Sequence, residues 1–148
     1  RLRAAADSDA VWSRFLPRDL PRLAENEIPS ARLSSKGLFQ RLAVQPALLP
    51  GKLVRMRLDR ATGAKCYALC ARSLHISWGE TQEYWRWIHV DVDDCYTTRG
   101  ERFSEATQLV GVYWLEIRGR IESKMLSKNT AYKARMVFKL GKEREKLN

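Results

Sequence analysis

The hydrophobic period of the chain changes near residue 51, and this change constrains the fold more than any other feature. Valine, methionine and leucine then occupy every second position of residues 54–58. A period of two places side chains on alternate faces of a β-strand, one of which is buried. Residues 59–63 have the composition of a tight turn, and residues 65–69 that of a returning strand. The sequence therefore predicts a β-hairpin here and a chain built mainly from antiparallel strands.

Further alternating segments follow at short spacing, with no long helical pattern between them. They lie at 74–78, 85–90, 112–121 and 132–140, and the last has the cleanest alternation. This arrangement favours an antiparallel sandwich or barrel. A sandwich needs about seven or eight strands, and the chain offers about six. The expected architecture is therefore a partial β-sandwich.

Two short helices are predicted before the strands begin. Residues 1–16 are rich in alanine and carry one apolar face, on which Trp12 is expected to anchor the helix against the core. Residues 34–42 form the second amphipathic pattern, with Ser34 or its neighbour as the N-cap. Helices of this length are marginal alone in water, so both are expected to dock on the rest of the chain.

Length and charge limit the class of protein. The chain has 148 residues, of which 45% are hydrophobic and 30% charged, enough for one domain with a real core and too polar for a membrane protein. The net charge of +10 raises the possibility of nucleic-acid binding. However, residues 61–100, which hold most of the tryptophans, contain 4 Lys/Arg against 5 Asp/Glu. A single-strand binder interleaves its rings with cations, so the sequence argues against nucleic acid and against a membrane.

The cysteines and histidines do not predict a metal site. Cys66, Cys70 and Cys95 are an odd set, which argues for free thiols in a reducing compartment. Neither His75 nor His89 has a cysteine or a second histidine at ligand spacing. His75 is instead expected to face solvent from a strand. We expect neither a metal nor a cofactor.

Catalytic motifs are also missing from the sequence. It contains no glycine-rich phosphate loop and no Gly-x-Ser-x-Gly elbow. Asp91, Asp93 and Asp94 are clustered in one predicted loop, whereas a glycosidase needs opposed carboxylates. Glu116 and Arg118 share one strand face and are expected to form a surface ion pair. The sequence predicts a protein that is not an enzyme.

Five tryptophans are the remaining candidates for function. By alternation, Trp78 continues a buried face, whereas Trp85 and Trp87 share a face whose direction stays open. Trp114 is expected to pack in the core, as is Trp12. From the residues alone, both core packing and ligand contact stay open for Trp78 and Trp85.

Several segments together resemble a known family. They are, in chain order, Ala-Arg-Ser-Leu-His-Ile-Ser-Trp-Gly at 71–79, Tyr-Trp-Arg-Trp at 84–87, Arg-Phe-Ser-Glu-Ala at 102–106, Trp-Leu-Glu-Ile-Arg-Gly-Arg-Ile at 114–121, Leu-Ser at 126–127 and Val-Phe-Lys-Leu at 137–140. The match resembles the phloem protein 2 family, which includes Nictaba-like lectins and plant F-box proteins carrying the same domain. It runs from about residue 34 to residue 140.

The resemblance implies a fold and a binding function for residues 34–148. It implies an antiparallel, jelly-roll-like β-sandwich that binds N-acetylglucosamine oligomers and N-glycan cores. Two tryptophans that the family uses for sugar fall on Trp78 and Trp85. A further glutamate of the family belongs to a later part of the domain, so residues 34–148 are expected to be the N-terminal part of the lectin domain.

The N-terminus resembles a second element of the same proteins. Residues 4–17 are similar to the closing third of an F-box, so we expect an F-box remnant at 1–17, a linker at 18–33 and truncation at both ends. The family's F-box docks on the Skp adaptor of an SCF ubiquitin ligase, largely through parts that precede this remnant. The resemblance thus implies a glycan-binding adaptor of the cytoplasm and nucleus. The alternative is a protein–protein recognition domain without sugar binding.

Overall fold

The computed structural model describes residues 6–27, 33–90 and 103–140. Most regular structure in these ranges is antiparallel β, which confirms the mainly β prediction. Its elements are α1 (Asp9–Trp12), α2 (Ser35–Val44), β1 (Ala47–Leu48), β2 (Val54–Leu58), β3 (Lys65–Leu69), β4 (His75–Ile76), β5 (Trp85–His89), β6 (Glu105–Leu109) and β7 (Ile117–Arg118), with 3₁₀ turns at Ala71–Ser73 and Ser123–Met125.

The strands of the described ranges form three small antiparallel sheets. The first has the order β1-β2-β3, the second pairs β4 with β7, and the third pairs β5 with β6. Strands β5 and β6 are joined by residues 90–104, and the predicted loop at 91–103 lies outside the described residues except for Phe103. None of the helices in the described ranges has the length and hydropathy of a membrane span.

The predicted hairpin of β2 and β3 is confirmed, with Leu58 opposite Lys65. Its turn is organised by Asp59, whose carboxylate accepts hydrogen bonds from the backbone N–H groups of Ala61 at 3.1 Å and Thr62 at 2.9 Å. A short acidic side chain bonded to the backbone that follows it is the usual device of such turns. The Thr62 hydroxyl donates to the same oxygen and is the first cause of the lowered pKa of Asp59.

The hydrophobic core lies between α2 and the first sheet. The predicted second helix is confirmed: it begins after Ser34, whose hydroxyl accepts a hydrogen bond from the N–H of Gly37 at 3.1 Å. That bond satisfies one of the free donors at the helix start. The buried residues of the core come from α2 and from β1 and β2 with their flanks: Phe39, Leu42, Ala43, Ala47, Leu49, Met56 and Leu58.

Of the helix predicted at 1–16, the described part from residue 6 onward is helical at Ala6 and over one turn, α1, at Asp9–Trp12. A helix of one turn is not stable alone in water, so α1 depends on its packing against the rest of the chain. The anchor role predicted for Trp12 is confirmed, because its ring centroid lies 5.8 Å from that of Phe15 and 5.4 Å from that of Phe39. Residues Leu16, Leu20 and Leu23 continue this packing against the core.

Lys65 joins the segment after α1 to the first sheet. Its side chain is fully buried, and its Nζ lies 2.6 Å from Oδ2 of Asp19. A buried ammonium needs such a partner, because an unpaired buried charge is strongly unfavourable. The Lys65 ammonium lowers the pKa of Asp19. The backbone carbonyl of Lys65 also accepts a hydrogen bond from the Tyr132 hydroxyl at 2.9 Å.

Two strand predictions are wrong over most of their length. Of 112–121 only Ile117–Arg118 is a strand, and 132–140 forms none, with Phe138 74% exposed. Alternation reports an amphipathic segment, whereas a strand also needs a neighbour that accepts its backbone hydrogen bonds. Among the described residues, no strand pairs with 132–140. The strand predicted at 85–90 is confirmed as β5.

Candidate functional site

A tight turn after β4 holds Trp78 in a strained backbone conformation. Trp78 has a φ of 56°, in the left-handed region that non-glycine residues rarely adopt. The N–H of Gly79 donates to the carbonyl of Ile76 at 2.9 Å, and the N–H of Thr81 donates to the carbonyl of Trp78 at 2.9 Å. A left-handed residue costs about 1–2 kcal/mol, which these bonds offset. Such strain is common at binding sites, where it fixes a side chain in advance.

The indole of Trp78 is 39% exposed. The inward direction expected from alternation is therefore wrong. The reason is that β4 ends at Ile76, two residues earlier, and the left-handed backbone of Trp78 breaks the two-residue phase. A tryptophan exposed in this way buries less apolar area than a tryptophan in the core would.

Trp85 takes a different position, although it begins a strand only seven residues later. It is 4% exposed, and its Nε1–H donates to the carbonyl of Ser77 at 3.0 Å. Ser77 immediately precedes Trp78, so the buried indole holds the start of the turn that carries the exposed one. A buried indole N–H usually finds such an acceptor. The structure brings the two predicted residues to one turn, with Trp78 facing out and Trp85 beneath it.

Trp114 lies against Trp78, at a centroid distance of 4.4 Å and an interplanar angle of 64°. Tyr84 approaches Trp78 from another direction, at 5.8 Å and 65°. Edge-to-face contacts of this kind are favourable arrangements for aromatic pairs. We call Trp78, Tyr84 and Trp114 the aromatic cluster. Trp114 is 59% exposed, so its predicted core role is wrong; it precedes β7 and lies outside any ladder.

The pairing of β4 with β7 brings Trp114 to this place. Ile76 lies opposite Ile117, and the N–H of Ser77 donates to the carbonyl of Glu116 at 3.1 Å. The Ser77 hydroxyl also donates to the Glu116 carboxylate at 2.7 Å. The predicted ion pair between Glu116 and Arg118 is confirmed. The Ser77 hydroxyl, followed by the Arg118 guanidinium, lowers the pKa of Glu116.

A shallow depression of about 230 Å³ adjoins the cluster and shares Tyr84 with it. Its other lining residues are Gly111, Val112 and Tyr113. A side chain at Gly111 would meet nothing within 4 Å, so the depression is open on that side. The turn between Trp78 and Tyr84 also carries exposed hydrogen-bonding side chains at Glu80, Gln82 and Glu83.

Trp87 does not join the aromatic cluster. It is half-buried on β5, and the guanidinium carbon of Arg72 lies 3.6 Å from its ring centroid. The Arg72 Nε donates to the Glu105 carboxylate at 3.5 Å, which completes a cation stacked on a ring and paired with an acid. Trp87 is therefore a packing residue.

In the part of the chain that the structure describes, no group of three or more His, Cys, Asp or Glu residues could hold a metal ion. Cys70 is a buried free thiol and Cys66 is half-buried; Cys95 lies outside the described residues. His75 is exposed, as predicted.

Sequence reasoning missed Trp114 and Tyr113 as exposed rings, and half-buried Tyr84 as a contact of Trp78. The sequence does contain a signal that Tyr113 and Trp114 are not both buried. Tyr113 and Trp114 are adjacent, and neighbours on a strand point to opposite faces, so they could not both enter one core. Tyr113 is 88% exposed.

Comparison with known proteins identifies the family. The model of the family described as phloem protein 2 matches residues 64–148. The chain is 38% identical over 138 residues to the putative F-box protein PP2-B12 of Arabidopsis thaliana, covering 93% of this chain and 51% of that protein. It is 37% identical over 144 residues to the F-box protein PP2-B1 of the same plant, covering 97% of this chain and 40% of that protein.

A third relative extends the same pattern. The F-box protein VBF of Arabidopsis thaliana is 32% identical over 141 residues, which cover 95% of this chain and 47% of that protein. The chain thus spans about half, or less, of the length of the relatives it matches. No solved structure matches it significantly. The family model covers more than half of the chain, and so the chain belongs to the phloem protein 2 family.

Proposed function

We propose that this chain is a carbohydrate-binding recognition module, which takes N-acetylglucosamine oligomers or N-glycan cores at the aromatic cluster. The observation that supports it most is the exposed indole of Trp78, held outward by a strained turn and fixed by Trp85 from below. A pyranose has a patch of C–H groups on one face and hydroxyls around its rim. An indole offers an apolar plane to the first, worth about 0.5–1.5 kcal/mol beyond burial.

The two tryptophans expected to bind sugar have different roles in this proposal. Trp78 contacts the sugar, and Trp85 positions Trp78 by holding the Ser77 carbonyl. The hydroxyl rim is met by the polar side chains of residues 80–83 and by the Tyr84 hydroxyl. The module recognises its ligand and performs no chemistry on it.

The same proposal extends to the rest of the protein. Relatives named F-box proteins match more than nine-tenths of this chain. We infer that residues 1–17 are the end of an F-box, that 18–33 connect it to the N-terminal part of a lectin domain at 34–148, and that this part belongs to a jelly-roll-like β-sandwich. The F-box contacts a Skp-type adaptor of an SCF ubiquitin ligase, and the lectin domain brings it glycoproteins in the cytoplasm and nucleus.

A second candidate function is protein–protein recognition without sugar. The observation that favours it is the run of exposed apolar side chains near the end of the described chain. Met136, Val137, Phe138 and Leu140 are 58% to 82% exposed. Contiguous exposed apolar residues often mark a protein interface.

Isothermal titration of the chain with chitotriose separates the two functions. A single aromatic site gives binding near the millimolar range, about −4 kcal/mol. Trp78→Ala is expected to weaken binding about 3- to 10-fold, because it removes the stacking plane. Phe138→Ala is the matched control, since it removes an exposed ring outside the cluster, and it is expected to leave binding unchanged. Absence of binding by the unaltered chain, or equal binding by Trp78→Ala, contradicts the lectin function and favours the second candidate.

A further inference from the structure

The aromatic cluster presents two indole planes rather than one. The rings of Trp78 and Trp114 are in contact at 4.4 Å between centroids, with their planes 64° apart. An edge-to-face pair covers only one face of one ring, so each indole keeps apolar surface toward solvent. Trp114 is the more exposed of the two, at 59% against 39% for Trp78.

This exposure distinguishes a contact surface from a support. A residue whose task is to hold Trp78 in place would be covered by its neighbours, as Trp85 is at 4%. Trp114 instead follows Tyr113, which is 88% exposed and lines the depression beside Tyr84. Burying large aromatic rings is strongly favourable. The adjacent exposed rings of Tyr113 and Trp114 are therefore available to contact a ligand.

The distance between the rings suits an oligosaccharide. Consecutive sugar units are joined through a single oxygen atom, so two indoles in direct contact can be reached by neighbouring units of one chain. The backbone fixes this spacing, because the Ser77 N–H and hydroxyl both bond to Glu116, two residues after Trp114. A preformed pair of planes binds an extended ligand without the cost of ordering either ring.

We propose that Trp114 forms a second stacking subsite, so that the cluster takes at least two consecutive sugar units and prefers longer oligomers to a single N-acetylglucosamine. This inference rests on the proposed carbohydrate binding at Trp78. In this inference, Trp78 is required for any sugar to bind, and Trp114 determines how much affinity a second sugar unit adds.

The test compares affinities along a ladder of N-acetylglucosamine, chitobiose and chitotriose, by titration calorimetry on the full chain. In the unaltered protein, chitobiose is expected to bind about 3- to 10-fold more tightly than the monosaccharide, as one added stacking contact provides. Trp114→Ala is expected to bring that ratio close to one, because it removes the plane that the second sugar unit would contact. Trp114→Phe keeps an aromatic plane and is expected to restore part of the ratio. Phe138→Ala again serves as the control.

The outcomes separate this inference from the function on which it rests. Sugar binding with the same length preference in Trp114→Ala overturns the second subsite and leaves the lectin function standing. An equal loss for all three ligands also overturns it, because it shows that Trp114 only positions Trp78. Absence of binding to all three ligands in the unaltered chain overturns both. If Trp114→Ala unfolds, Trp114→Leu, which keeps an apolar side chain without an aromatic plane, decides: a ratio unchanged from that of the unaltered chain rejects the subsite, and a reduced one supports it.

Discussion

The backbone conformation of Trp78 is fixed by hydrogen bonds within its turn and by one from outside it. Trp78 keeps a left-handed backbone because bonds on both sides close around it, and because the indole of Trp85 holds the carbonyl before it. A residue forced into such a conformation loses part of its freedom before any ligand arrives. The exposed ring is therefore preorganised for contact.

Tyr67 gives a prediction at the residue scale. Its hydroxyl donates to the Met125 carbonyl at 2.7 Å, and burial is the main cause that raises its pKa from 10.0 to about 12. The folded state favours the neutral phenol, so this contribution to stability is present below pH 10 and is lost as the pH rises through about 12. We expect the free energy of unfolding, measured with urea, to fall between these values.

Phenylalanine variants attribute that fall to one residue. Tyr67→Phe loses about 1 kcal/mol at neutral pH with its hydrogen bond, but its stability is expected to fall less steeply in the alkaline range. Tyr113→Phe, at an exposed position, is expected to follow the unaltered protein. Identical slopes for Tyr67→Phe and the unaltered chain would show that Tyr67 does not resist ionisation.

The elements differ in how much of them sequence reasoning could predict. The hairpin of β2 and β3 and helix α2 were predicted closely, because each combines a hydrophobic period with a local signal such as the Asp59 turn or the Ser34 cap. The pairing of β4 with β7 could not be predicted. It joins segments about forty residues apart, and alternation says nothing about which strands become neighbours.

The candidate site was only partly predictable for the same reason. The family resemblance implied Trp78 and Trp85, whereas their separation into an exposed and a buried ring depends on the turn. Trp114 enters the site through the long-range pairing of β7. The segment at 132–140 shows the opposite error, since its regular alternation formed no strand among the described residues.

The turn between β2 and β3 gives a prediction at the scale of elements, because it contacts the segment after α1. A Cβ added at Gly63 would lie 2.8 Å from the carbonyl oxygen of Phe15, and Gly63 has a φ of 71°. Gly51 is a matched control, with a φ of 86° and nothing within 4 Å. Alanine at either position carries the left-handed penalty of about 1 kcal/mol.

Only Gly63→Ala must also displace the docked N-terminal segment. We expect it to lower the free energy of unfolding by roughly 1–3 kcal/mol more than Gly51→Ala does, as measured by urea denaturation. Equal losses in the two variants would mean that the segment after α1 yields freely and is not held against the hairpin.

On the scale of the whole molecule, the N-terminal segment and the first sheet share one core. Trp12, Leu16 and Leu20 pack against it, and the buried Lys65 pairs with Asp19 from the same segment. The aromatic cluster lies beside the second sheet, in the turn after β4 and in the residues just before β5 and β7. In the proposed adaptor, the F-box end is thus attached to the domain that carries the recognition surface by packed side chains as well as by the chain itself.

The most direct test of the central claim follows the indole N–H signals in a nitrogen-15 NMR spectrum while chitotriose is added to millimolar concentration. The chain has five tryptophans, and single Trp→Phe variants assign their signals. We expect the signals of Trp78 and Trp114 to move together with added sugar, that of Trp85 to move less, and that of Trp12 to stay in place. If the signals of Trp78 and Trp114 stay unchanged as chitotriose is added, whether or not the sugar binds elsewhere on the chain, the aromatic cluster is not the carbohydrate site.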